Sequence, residues 1–583
     1  MNKKILLAEA FLALFVVLGF KLAVGNDQSK KSTMPVRDAI YKGRTVMNCS
    51  PDWNQLNADS IGINMKPLPG WGTYSWPIST RNDSAQFYFN QGINMYYAFH
   101  IIEAMGSFKK AQEFDGNNPM VYWAQALAYG PNINDFVYAA SADAVQAAQK
   151  ARELSANSSA KEKALISAML VRYSTDSSIS RQTLNEQYAA AMKKLYEQFP
   201  TDADAASLYA DALMVLHPWQ YWQHNGKPEA WTPELIAVLE NTLKSHPQHP
   251  GANHYYIHSM EASPNPGKAL NSADRLGSMM PLVSHMVHMP SHIYIRTGNY
   301  EKGMTVNDKS LDGYKQYLAL YPDVVNNAFL YAVHNYHMKV TCAMMRPNYS
   351  TSMQAAKETA NSFDSAYLSL PQPLGNYIQY VALTPQMVNV RYGKWAQVLQ
   401  MEQPKAHHQF ASLLHHWARG MAFANSAKLP EAKLELSFFL QRVTHPDLQI
   451  RMEPFNTPAE QALVAQKLLE GMIAQKENDL PGATAFFEQA VQAEDRLIYT
   501  EPRDWLIPAR HWLANVLIKS KQFSKAKKVL LQDLAINPNN FYALSAMLQV
   551  SSREGNAANT SRYKKELAAA FKGSDLDQPA LLY

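Results

Sequence analysis

From about Ser84 to the C-terminus, apolar residues recur at three- and four-residue spacing, and strict alternation is scarce. The pattern predicts helices almost throughout and an all-α fold. Residues 26–83 break it. Pro67, Pro69, Trp71, Trp76 and Pro77 stand there in a polar, Gly-containing background. That stretch is expected to be an irregular N-terminal segment that packs on the first helices and covers one end of the helical region. Residues 1–25 read as an export signal. Lys3 and Lys4 lead, Ala10 to Phe20 is apolar, and Ala23-Val24-Gly25 offers small residues for cleavage. Glu9 and Lys21 interrupt the apolar run, which makes it a poor stable span. The expected location is exported, periplasmic or extracellular, with no stable membrane span after signal cleavage.

With 583 residues the chain exceeds what one core usually organises, so internal repeats are the first thing to test. Gly471, Ala483, Phe487 and Ala490 fall at offsets 8, 20, 24 and 27 of one unit. Gly420 and Ala432 take offsets 8 and 20 of the unit before, and Ala514, Ala526, Leu530 and Pro538 take 8, 20, 24 and 32 of the unit after. Gly92, Ala104, Phe108 and Ala111 repeat 8, 20, 24 and 27 near the start. Small residues at these offsets let two antiparallel helices approach, and a proline opens the next helix without losing a needed N–H. The set resembles the tetratricopeptide-repeat (TPR) family. The resemblance implies a TPR-like α-solenoid, a curved superhelix of antiparallel helix pairs. It implies N-terminal and central repeats over 84–345 and C-terminal repeats over 346–583. The stretches HPGANHYYIHSMEAS, HMPSHIYIRTGNY and YTEPRDW are similar to those of a group of exported bacterial TPR proteins. That likeness supports the register and implies no activity.

Histidines are grouped within the central units. His254, His258 and Glu261 form one group, His285, His288 and His292 a second, and His334 and His337 a third. Spacings of three, four and seven put each group on one face of a helix. Ala269, Pro281, Ser291 and Gly303 fix the repeat register without using the histidines. In that register the TPR resemblance places all eight residues on first helices that line a concave groove. Pro290 is expected to kink or break its helix. Neutral imidazoles suit Fe, Cu or Zn, so one reading is a transition-metal site with seven candidate His ligands and Glu261 as ligand or general base. Other readings are a metal-free polar groove for a peptide, small molecule or protein partner, and plain structural hydrogen bonding.

Further candidates for substrate binding are His100 and Glu103, which repeat the His-x-x-Glu spacing, and Glu501, Arg510 and His511 near the last clear repeat. The bland alternative for the latter group is a charged helix start capped by Asp504. His415 and His416 are expected to be structural, and His407 and His408 to lie on the surface. The net charge of +5 is spread along the chain without a basic block, which disfavours a dedicated nucleic-acid surface. Two cysteines, Cys49 and Cys342, exclude a Cys-built zinc site and leave a disulfide open. Phosphate loops, dinucleotide fingerprints and nucleophile elbows are missing from the sequence. Whether the chain is an enzyme stays open at this level.

Overall fold

Helix starts are marked by side chains that satisfy the first free N–H groups. Asn82 accepts from the amides of Ser84 and Ala85 to open the helix Asp83–Tyr97. Ser159 with Glu162, and Thr457 with Glu460, form reciprocal capping boxes. Pro119 and Pro458 occupy first-turn positions, where a missing N–H costs nothing. These signals recur along a computed structural model that describes residues 51–576 except 52, 54, 55, 136, 137, 139 and 321–327. The signal-like segment 1–25 and Cys49 lie outside the described residues.

The described chain is all-α. Its one β feature is an isolated bridge between Trp222 and Pro228. Asp83–Tyr97 packs on Ile101–Phe114, Gln409–Asn425 on Leu429–Arg442, and Pro458–Lys476 on Leu480–Arg496. Each second helix also touches the first helix of the next pair, as Leu480–Arg496 touches Ala509–Lys519. This stacking of pairs on sequence neighbours is a TPR-like solenoid. The predicted register is visible in the contacts. A Cβ on Gly92 would lie 2.3 Å from the Phe108 ring, and one on Gly471 would lie 2.6 Å from the Phe487 ring. In both pairs the aromatic residue fills the space that glycine leaves where the helices cross.

Two apolar cores run along the array, one from Trp53 to Tyr294 and the other from Val333 to Leu567. The histidine-bearing helices lie where the first ends and the second begins. Within residues 51–83, Leu68 and Trp76 are buried, and the Trp76 ring meets Trp123 edge-on at 5.4 Å. The Leu282 amide bonds the Gly70 carbonyl at 3.3 Å, so this segment also reaches the start of the second histidine group. It contains one short helix, Ala58–Asn64.

The array also makes contacts far from sequence neighbours. The helix Pro250–Met260 packs against Asp83–Tyr97. Gly251 permits this, because a Cβ there would sit 2.5 Å from the Tyr97 ring. Gly298, at φ +72°, lies so close to the Pro538 carbonyl that a Cβ would meet its oxygen at 2.3 Å. Both the left-handed backbone and the contact require glycine there.

Candidate metal centre

His249 caps the helix Pro250–Met260 by accepting from the Ala252 amide, and Pro250 opens its first turn. His254 and His258 lie one turn apart on the same face, and Glu261 is the C-cap residue. The second group sits on two short helices, Ser284–His288 and Pro290–Arg296. Pro290 does break the helix as expected. Met289 keeps helical angles at the junction, and the His292 amide bonds the Met289 carbonyl at 3.2 Å. Because the junction stays helical, His288 and His292 remain on one face, with ring centroids 4.7 Å apart. The third group comes from Ala328–Met345.

The repeat register predicts that these residues line a groove. The structure instead buries His254, His258, Glu261, His285, His288 and His292 at 3% exposure or less, and leaves His334 partly buried. The reason is the long-range packing just described, which folds later residues over the helix face. Three groups each bring their ligand atoms within 4.8 Å of one another: His254, His258 and His285; His288, His292 and His334; and Glu261, His292 and Glu501.

Hydrogen bonds assign the tautomers. The His254 Nδ1–H donates to the Tyr97 carbonyl at 2.6 Å. The His288 Nδ1–H donates to Asn307 Oδ1 at 2.6 Å, and the Asn307 amide group donates to the Gly303 carbonyl at 2.8 Å, which fixes its oxygen toward the ring. Glu261 accepts from His258 Nδ1 at 3.0 Å with one oxygen and from His292 Nδ1 at 2.7 Å with the other. The Glu501 carboxylate also closes on His292 Nδ1. All four rings thus turn an Nε2 lone pair inward. The Nε2 atoms of His288 and His292 stand 2.7 Å apart, those of His254 and His285 3.1 Å, and those of His292 and His334 3.4 Å. At 2.7 Å the His288 and His292 Nε2 atoms must share a proton or another cation between them. His258 Nε2 and His285 Nδ1 are buried without a partner.

The electrostatics come from burial. Desolvation holds His254 and His334 down to about 3, and places His258, His285 and His288 well below the ordinary imidazole range. The two carboxyls diverge. Burial, then the neighbouring Glu501, pushes Glu261 well up. Burial also opposes ionisation of Glu501, but His292 beside it outweighs that and draws it down to about 2.

Aromatic rings wall the centre. Phe99 lies 4.6 Å from His254, 5.8 Å from His258 and 5.9 Å from His285, and Trp219 meets His258 edge-on at 5.3 Å. Both hold positive φ, 58° for Phe99 and 63° for Trp219, a costly backbone state for bulky residues. Sequence reasoning misses them, together with Asn307 and the Tyr97 carbonyl. Nothing in a sequence marks a non-glycine residue for a left-handed backbone. His100 and Glu103 form a buried pair at 3.1 Å in the next layer. His100 stacks on Tyr331, whose ring lies 4.5 Å from His285.

Several expectations are corrected. His337, one turn from His334, lies in none of the ligand groups; its ring faces Tyr380. Arg510 is held bidentately by Asp495, and His511 by Asp533 at 2.9 Å and Arg391 at 3.0 Å, so neither reaches the centre. Only Glu501 of that trio does. Asp504 caps no helix. It accepts from Asn456, and the next helix starts at Ala509, whose amide bonds Glu494. His408 is buried rather than superficial, whereas His407 is exposed. His415 and His416 are held by Gln386 and Glu435, as structural residues would be.

No protein-family profile and no curated protein matches this chain. Among solved structures, the human IFIT1 dimer with m7Gppp-AAAA matches at 14% identity over 92% of this chain and 100% of that one, with a TM-score of 0.30. Yeast Tom70 matches at 12% over 84% of this chain and 93% of its own, with a TM-score of 0.32. The Cut9 complex with Hcn1 gives 11%, 85%, 95% and 0.27 in the same order. At these scores the likeness carries no argument about the site. No helix of the described residues is long and apolar enough to cross a membrane.

Proposed function

We propose that this is an exported metalloprotein whose buried histidine centre holds one or two transition-metal ions. One observation carries the reading. Four imidazoles are fixed through Nδ1, their Nε2 atoms converge, and one pair stands at 2.7 Å, close enough to need a proton or a metal ion between them. His254, His258 and His285 would serve one ion, and His288, His292 and His334 the other. Glu261, which holds His258 and His292 together, is a carboxylate of the kind that orients metal-bound histidines. All-imidazole sets suit Zn, Cu or Fe. An ion so held supplies Lewis acidity or redox chemistry. Glu261 and Glu501, with divergent proton affinities, would hold and move a proton beside it for a small molecule or peptide substrate.

The test is elemental mass spectrometry of protein purified without metal-affinity resin or chelator. About one or two equivalents of one transition metal are expected by the ligand count of such sites, and His254→Ala with His292→Ala should lose them. Full occupancy in that double variant would refute the ligand assignment. A protein that takes up neither Zn, Cu nor Fe on reconstitution would favour the second reading, a metal-free TPR-like scaffold that binds a protein or peptide. In that case a shared proton joins the Nε2 atoms of His288 and His292.

A further inference from the structure

Beside the histidine centre lies a narrow cavity lined by Arg296, Tyr499, Glu501, Arg503, Met338 and Leu506, among others. Arg296 and Arg503 both line it, and among the described residues neither forms an ion pair with a carboxylate. Arg296 donates to the Glu261 carbonyl at 2.8 Å and the Ser263 carbonyl at 3.3 Å, lies over the Tyr499 ring at 5.1 Å, and leaves its buried Nε without a partner. Carbonyl oxygens position a guanidinium without neutralising it. Arg503 is partly buried, and its guanidinium makes no hydrogen bond among the described residues. The carboxylate on the cavity wall, Glu501, is already engaged by His292 and by the Tyr499 hydroxyl at 2.9 Å.

Two partly buried arginines on one cavity, with donors left over and no carboxylate paired to them, form an arrangement completed by an oxyanion. We infer that the Arg296–Arg503 cavity is an anion subsite that takes the carboxylate or phosphate group of a small molecule. Glu501 lines the cavity and contacts His292, so a ligand anchored by its anionic end would extend toward the histidine centre. This part of the inference, that the ligand is the substrate, rests on the metal reading. The subsite itself rests on the arginines.

Isothermal titration of the full-length mature protein with inorganic phosphate, and separately with acetate, against chloride at matched ionic strength tests the assignment. Saturable binding of either anion is expected, and its identity distinguishes phosphate from carboxylate ligands. Arg503→Gln should weaken it at least about tenfold, because a bidentate charged contact is lost. Arg503→Lys keeps the charge without the planar fork and should weaken it less. The lysine variant tests the assignment even where the glutamine chain does not fold. Binding should persist in a His254→Ala, His285→Ala protein, which keeps the His292–Glu501 contact and separates failure of the subsite from failure of the metal centre. No binding of either anion to the native protein, or equal binding to native and Arg503 variants, overturns the inference.

Discussion

Mild acid should unfold the metal-stripped protein, and the size of the effect comes from the buried rings. His254 and His334 sit at about 3 and His337 at about 4, with burial as the leading cause in each case. The unfolded value is about 6.5. A folded value depressed below the unfolded one means that the unfolded chain takes up protons that the fold refuses. The stability these neutral rings allow is thus fully present above about pH 6.5 and is lost as pH falls toward the folded values. Each ring contributes about 1.4 kcal/mol per pH unit, so at about pH 5.5 these three together remove about 4 kcal/mol. His258, His285 and His288 shift in the same direction and add to the loss. A typical domain has roughly 5–15 kcal/mol in all. A bound ion uses the neutral rings and so opposes their protonation. At about a hundredfold excess over its Kd it adds about 2.7 kcal/mol to the folded state. The assay is the thermal midpoint of chelator-treated and metal-loaded protein between roughly pH 7.5 and 5.5. The stripped protein should lose stability steeply across that window, and the loaded protein should hold to lower pH. Equal midpoints for stripped protein at both ends would refute the reasoning, because the rings would then be open to water or already charged.

Asn307→Leu removes the oxygen that fixes the His288 tautomer at 2.6 Å. Metal affinity, read by chelator competition, should fall by about 10- to 100-fold while the helical circular dichroism stays unchanged. Gly471→Ala places a Cβ 2.6 Å from the Phe487 ring. It should destabilise by about 1–3 kcal/mol in denaturant titration without changing metal content. Burial pushes the Cys342 thiol up to about 12. It should resist a thiol reagent in the native state and react only on unfolding, and rapid labelling of native protein at Cys342, mapped by mass spectrometry, would contradict its burial.

The repeat register is legible because it is written in residue size. Gly92 with Phe108 and Gly471 with Phe487 meet at helix crossings, where the spacing alone predicts a small and a large partner. The histidine faces are legible for a related reason, since helical spacing fixes direction within one helix. What spacing does not carry is where the array returns upon itself. The register therefore predicts an open groove, whereas Tyr97 and Glu501 close on His254 and His292 from far along the chain. The same gap explains Arg510 and His511. They lie near Glu501 in sequence, but the irregular stretch before Ala509 sends them to Asp495 and Asp533 instead. His337 differs from His334 by three residues and faces Tyr380, outside every ligand group.

A repeat array is held mainly by contacts between neighbours, so each pair of helices gains little from pairs far away. This one departs from that rule at the histidine centre. Its polar atoms come from residues as distant as Tyr97, His254, Asn307, His334 and Glu501. Such a set forms only when the array is bent so that Gly251 meets Tyr97 and Gly298 meets Pro538. Burying so many imidazoles costs free energy that apolar side chains of the same volume would not. The left-handed backbones of Phe99 and Trp219 add strain at the same place. A structural core has no need of either. Buried imidazoles and strained backbone gathered where distant repeats meet fit a ligand-binding centre, and a cation shared by the converging Nε2 atoms is the ligand that would offset their cost. Ion binding and closure of the array would then be one equilibrium, with the Glu261 and Glu501 carboxyls joining its two halves.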